Sequence, residues 1–112
     1  MAPQNAFSLA GPVSLELYKQ LLMALKPLGR FQEEVKKTSI HLVHSTAFAG
    51  VAPRKQHLIL TIKAERPIHS SRVFKAEQAS RNRWYLQVKL ADKQEIDREL
   101  LGWLKSSYEL CA

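Results

Sequence analysis

The chain has 112 residues, 46% of them hydrophobic and 24% charged, with a formal net charge of +7. That length fits one domain able to bury its own core, and the composition excludes a disordered or fibrous protein. No stretch approaches the roughly 18 apolar residues a membrane span needs, and "MAPQNAFSLAGP" lacks a basic region leading an apolar core, so no membrane partner is expected. The lone Cys111 cannot form an internal bridge, lies near the C-terminus where chains fray, and suits a reducing cytoplasm.

Taken in chain order, residues 1–8 read as a loose lead-in to a single domain spanning 1–112. "GPVSLELYKQLLMALKPLG" then places Leu15, Tyr18, Leu22 and Leu25 at helical spacing, with Pro12 or Ser14 near the start and Pro27 with Gly29 as the stop. The short, charged "RFQEEVKK" reads as a connection. In "TSIHLVHS" the β-branched residues alternate as a strand does, with Ile40 and Leu42 on one face and His41 and Val43 on the other. "AFAGVAPRK" reads as a second strand ending at Pro53, and Gly50 marks a bulge or turn.

The clearest strand is "HLILTIKAE", where Leu58, Leu60 and Ile62 oppose His57, Ile59, Thr61 and Lys63. After the turn-prone "RPIHSS" come "RVFKAEQ" and "RWYLQVKLA". In the latter, Trp84, Leu86, Val88 and Leu90 alternate with Arg83, Tyr85, Gln87 and Lys89. Asp92 with Glu95 three residues later has capping-box spacing, and Ile96, Leu100, Trp103 and Leu104 stripe a helix running to about Tyr108. The expected fold is α+β, a two-layer sandwich. It pairs an antiparallel meander of four to five strands with an N-terminal and a C-terminal helix laid on one face.

The charge is uneven. Between Arg54 and Lys89 lie nine basic residues against only Glu65 and Glu77, which accounts for the whole net charge. If the helices cover the face bearing Leu58, Leu60, Ile62, Trp84, Leu86 and Val88, the open face presents Thr61, Lys63, Arg83, Tyr85, Gln87 and Lys89. Sheets that bind single-stranded nucleic acid combine stacking aromatics with cations that follow the phosphates. Arg54, Lys55, Lys63, Arg83 and Lys89 are the candidate phosphate contacts and Tyr85 the candidate stacking residue. The bland reading gives a solvated basic sheet, with Tyr85 as a cross-strand packing partner.

Other chemistries fit less well. His41 and His44 are three apart, which on a strand sends them to opposite faces, so no metal site is expected. Either histidine could serve as a general base, yet no serine sits in a nucleophile elbow and Cys111 lies in the tail. Glu33 with Glu34, and Glu95, Asp97 and Glu99, are explained by a solvated segment and a helix start. The four glycines match no phosphate loop, so no cofactor is expected. Val43 and Ile59, on the same outer face, leave open a homodimer interface or the wall of a ligand groove with charges at its rim. A histidine-centred enzyme is the third alternative.

"VKKTSIHL", then Phe48 and Ala49, "APRK" at 52–55, and Asp97 with "ELLGWLKSSY" carry a resemblance over residues 7–109. They resemble a family of small bacterial proteins and domains of unknown function. The resemblance implies a domain found alone or at the ends of longer proteins, some with nuclease-like or other enzymatic partners, and so an accessory binding role. No catalytic residue comes with it. Lys37, Arg54 and Lys55 are the polar residues inside the matching motifs and join the candidate site.

Overall fold

A computed structural model describes residues 5–112. It is α+β, with two helices and a six-stranded sheet in which every neighbouring pair is antiparallel. The strands are β1 (Gln32–Val35), β2 (Ile40–Val43), β3 (Ala47–Pro53), β4 (Leu58–Ala64), β5 (Val73–Ser80) and β6 (Arg83–Leu90). The helices are α1 (Pro12–Leu25) and α2 (Arg98–Leu110). Among the described residues no helix is long and apolar enough to cross a membrane.

Two features depart from the expected four-to-five-stranded meander. The segment taken for a connection contributes β1, a short edge strand whose four residues are all exposed. It carries no apolar alternation because neither of its faces meets the core, so pairing with β2 alone makes it a strand. The spatial order is β1-β2-β3-β4-β6-β5, with β6 inserted between β4 and β5. Residues 65–72 therefore cross from β4 past β6 to the far edge.

Arg72 ties down this crossing. Its guanidinium donates to Asp97 Oδ1 at 2.9 Å, to Glu99 Oε1 at 3.1 Å and to the Glu95 carbonyl at 2.6 Å, and it lies 5.6 Å from the Trp103 ring centroid. Burial opposes its charge, but the hydrogen bonds to Asp97 and Glu99 outweigh that and hold its pKa above the ordinary value.

The expected two-residue alternation places the core. Ile40, Val51, Leu60 and Val88 are cross-strand partners in one row, Leu42, Ala49, Ile62 and Leu86 in the next, and all eight are buried. All but Leu86 join the buried apolar residues of both helices in one cluster. On α1 the stripe runs Ser14, Leu17, Tyr18, Leu21 and Leu25, so the expected Leu15 faces outward and Leu22 is only partly covered. The register turns because Ser14 is drawn inward, its hydroxyl accepting the Gly11 N–H at 3.0 Å and donating to the Gly11 carbonyl at 3.1 Å. On α2 the buried residues are Leu100, Leu104, Ser107 and Tyr108.

The Asp92–Glu95 box closes a single 3-10 turn and not the helix. Asp97 caps α2 by accepting the Leu100 N–H at 3.0 Å. That bond first, then the one from Arg72, holds the Asp97 carboxyl below the usual carboxylate range.

Both ends of the described chain are docked. Within the expected loose lead-in, residues 1–4 lie outside the described residues, while Ala6 opens a 3-10 turn, is fully buried and donates its N–H to the Lys36 carbonyl. Cys111 is buried as well, and its carbonyl accepts the N–H groups of Ser45 and Thr46. The tail is anchored there by backbone bonds that side-chain spacing does not reveal.

A bulge sets the contact between sheet and α2. Leu42 pairs with Ala49 but Val43 with Ala47, which leaves Phe48 as the extra residue, so the bulge falls there and not at Gly50. Phe48 and Ala49 are consecutive and both buried. The β3–β4 ladder ends at Ala49–Ile62. Beyond it the buried Ser107 hydroxyl donates to the Phe48 carbonyl at 2.5 Å and accepts the Lys63 N–H at 3.2 Å, so one side chain of α2 bridges the two strands where the ladder ends.

Candidate functional site

The outer face of the sheet lies opposite the helix cluster. It carries His41, Gly50, Ala52, Ile59, Thr61, Lys63, Tyr85, Gln87, Lys89, Lys75 and Glu77, none of them buried. Lys63 and Tyr85 are direct partners across β4 and β6, and the Lys63 ammonium sits 5.9 Å from the Tyr85 ring centroid. Arg83 is two residues back along the same face, partly covered, and its guanidinium donates to the Asn82 carbonyl at 3.0 Å. A shallow groove of about 310 Å³ crosses this face, with Gly50 as floor and His41, Thr61, Lys63 and Tyr85 as walls. Gly50 is paired with both His41 and Thr61, so β3 puts no side chain between them.

Register then separates the sequence-predicted residues into two groups. The turns β1–β2 (36–39) and β3–β4 (54–57) and the C-terminal end of β6 lie at the same end of the sheet, beyond the row Ile40, Val51, Leu60 and Val88. Lys37, Arg54, Lys55 and Lys89 therefore all lie at this upper end, and all are exposed. Gly11, which caps the start of α1, joins them, since a Cβ there would overlap the Lys55 carbonyl. Lys63, Arg83 and Tyr85 form the second group in the lower half of the outer face.

His57 reports the field at the upper end. Burial, then Lys89, then Arg54 push its pKa below the ordinary histidine value, so cations from the β3–β4 turn and from β6 bear on one ring. Sequence reasoning assigned His57 only to the outward side of β4. The missed signal was its position between Arg54 and the partner strand of Lys89.

The nine basic residues do not form one continuous patch. Arg72 turns to the helix side and is spent on Asp97 and Glu99. Among the described residues Lys37, Arg54, Lys55, Lys63, Arg83 and Lys89 make no ion pair, whereas Lys36 is paired with Glu34 at 3.4 Å. Val43 and Ile59 do not cluster. Their β3 partners Ala47 and Ala52 are five positions apart, so they mark opposite ends of the face.

The two histidines of "HLVH" point apart. His41 belongs to the outer groove, while His44 stacks on Tyr108 with ring centroids 3.8 Å apart and its Nδ1–H donates to the Tyr108 carbonyl at 3.1 Å. Among the described residues no three of His, Cys, Asp or Glu gather in metal-ligand geometry. A cavity of about 640 Å³ opens between the end of α1 and β1, lined by Leu22, Lys26, Arg30, Phe31, Glu33 and His44. Its carboxylate accepts the Tyr18 hydroxyl at 2.5 Å and its imidazole is held by Tyr108, so both are already engaged inside the fold. Burial first, and then that bond to Glu33, push the Tyr18 phenol far above its ordinary pKa.

A family model described as Domain of unknown function (DUF5655) matches residues 5–111. No curated protein and no solved structure matches the chain.

Proposed function

The chain belongs to the DUF5655 family of domains of unknown function, and from that premise we propose that it is a non-enzymatic binding module engaging an anionic polymer, nucleic acid in the first instance. In this reading the helices form a second layer on the inner face and leave the outer face and upper end free. The observation that carries it is geometric: the Arg54 N–H donates to the His57 carbonyl at 2.8 Å and Lys89 stands opposite Ile59 on the adjoining strand, at the same end of the sheet as Lys37 and Lys55, which among the described residues make no ion pair. Cations held together with no internal carboxylate keep their charge for an external anion. Lys63 and Arg83 extend the path down the outer face, where Tyr85, 39% exposed, offers a ring for base stacking.

The test is binding of labelled single- and double-stranded oligonucleotides across a salt series. Binding is expected to weaken as salt rises. Arg54→Glu with Lys89→Glu should cut affinity at least tenfold and lower the salt slope by about two, near one per lost phosphate contact. Lys105→Glu, on the exposed side of α2, should leave it unchanged. No binding at low salt, or equal losses from all variants, would sink the reading.

pH supplies a second expectation. His57 is held below the ordinary histidine pKa in the free protein, and a phosphate between Arg54 and Lys89 would offset their charge and raise it. Binding then takes up a proton, so affinity should rise as pH falls from about 7.5 to about 6. His57→Gln should flatten that dependence; an unchanged profile in the variant would remove His57 from the interface.

A further inference from the structure

The free edge of β5 is an interaction surface, and we infer that its occupant is a second copy of this chain, paired antiparallel about Ala76. β5 ends the sheet, so among the described residues one side of its backbone has no strand partner. All of its residues except Val73 are exposed, including Phe74 at 55%. Two irregularities, between Val73 and Lys75 and between Gln78 and Ser80, bracket a regular stretch from Lys75 to Gln78. They confine any added strand to a short, defined register.

The charges on that stretch select the partner. Lys75 and Glu77 lie opposite Gln87 and Tyr85, which places both on the outer face. Among the described residues neither makes an ion pair. Antiparallel pairing about Ala76 sets Lys75 of each copy directly opposite Glu77 of the other, giving two complementary pairs on one side of the joined sheet. Isologous pairing of this kind closes on itself after two copies.

The opposite edge is less suited to this exchange. β1 is four residues long, and its carboxylates are engaged, Glu33 by Tyr18 and Glu34 by Lys36. Because directly opposed residues point to the same side of a sheet, a β5–β5 dimer would carry both outer faces on one side and double the width of the basic surface. The pairing itself stands on the charges of the edge and not on the nucleic-acid reading.

Sedimentation of the full-length chain across a concentration series tests it. The wild type should associate to a dimer. Lys75→Glu and Glu77→Lys should each weaken association roughly tenfold or more, since each sets like charges opposite one another twice. Mixed together, these two variants should form a heterodimer as readily as the wild type self-associates, which also shows that both are folded. The double exchange K75E/E77K should restore the homodimer. A wild type that stays monomeric at every concentration overturns the inference and leaves the edge to a strand from another protein. A dimer indifferent to both single exchanges overturns it too, by placing the interface elsewhere.

Discussion

Replacing Ser107 by alanine is expected to lower the unfolding free energy by about 2–4 kcal/mol, although only one oxygen is removed. The hydroxyl is fully buried and serves two backbone groups, the Phe48 carbonyl at 2.5 Å and the Lys63 N–H at 3.2 Å. Both lie where the bulge ends the β3–β4 ladder, so no strand neighbour is in place to take over. Leaving a buried polar backbone group unpaired costs about 1–3 kcal/mol, and alanine leaves two. For a small domain stable by roughly 5–15 kcal/mol that is a large share. Urea unfolding should show a lower midpoint with an unchanged slope. Ser106→Ala, one residue earlier and exposed, should stay within about 0.5 kcal/mol of the wild type. If Ser107→Ala behaved like Ser106→Ala, the bridging role would be wrong.

Gly29→Ala should cost about 3 kcal/mol, through backbone strain and a lost hydrogen bond together. Gly29 sits at φ 130° and ψ −159°, a conformation essentially confined to glycine. A Cβ there would lie 2.6 Å from the Tyr108 hydroxyl, which donates to the Arg30 carbonyl at 2.8 Å. The alanine variant must therefore displace Tyr108, which stacks on His44 and packs edge-on against Phe48 at 5.2 Å. A double-mutant cycle separates the contributions. Tyr108→Phe removes the crowded oxygen, so the pair G29A/Y108F should be less damaging than the two single losses combined. Strict additivity would show that the clash with Tyr108 is not felt.

Local patterning made much of the molecule legible. Alternation in "HLILTIKAE" and "RWYLQVKLA" assigned Leu58, Leu60, Ile62, Trp84, Leu86, Val88 and Leu90 to the inner face, and all of these are buried except Trp84, which is only partly covered. The same alternation put Lys63, Arg83, Tyr85 and Lys89 on one outer face, because a two-residue period is a property of the extended backbone itself. The first helix was legible in extent but not in register, since Leu15 and Leu17 look alike until Ser14 turns inward to cap Gly11. β1 was missed because an exposed edge strand has no hydrophobic pattern to show.

By itself, then, the sequence determined the types of both helices and of every strand but β1, the inner and outer faces of the central strands and the concentration of charge between Arg54 and Lys89, all consequences of short-range periodicity and composition. Only the tertiary structure decided which cations meet. Inserting β6 beside β4 brings Lys89 to His57 and Arg54, while the crossing to β5 carries Arg72 away to Asp97 and Glu99. Residues 35 apart in the chain become neighbours through strand order. That order gathers the inner residues of the strands with the buried residues of both helices in one cluster, a requirement satisfied by the chain as a whole and by no window within it.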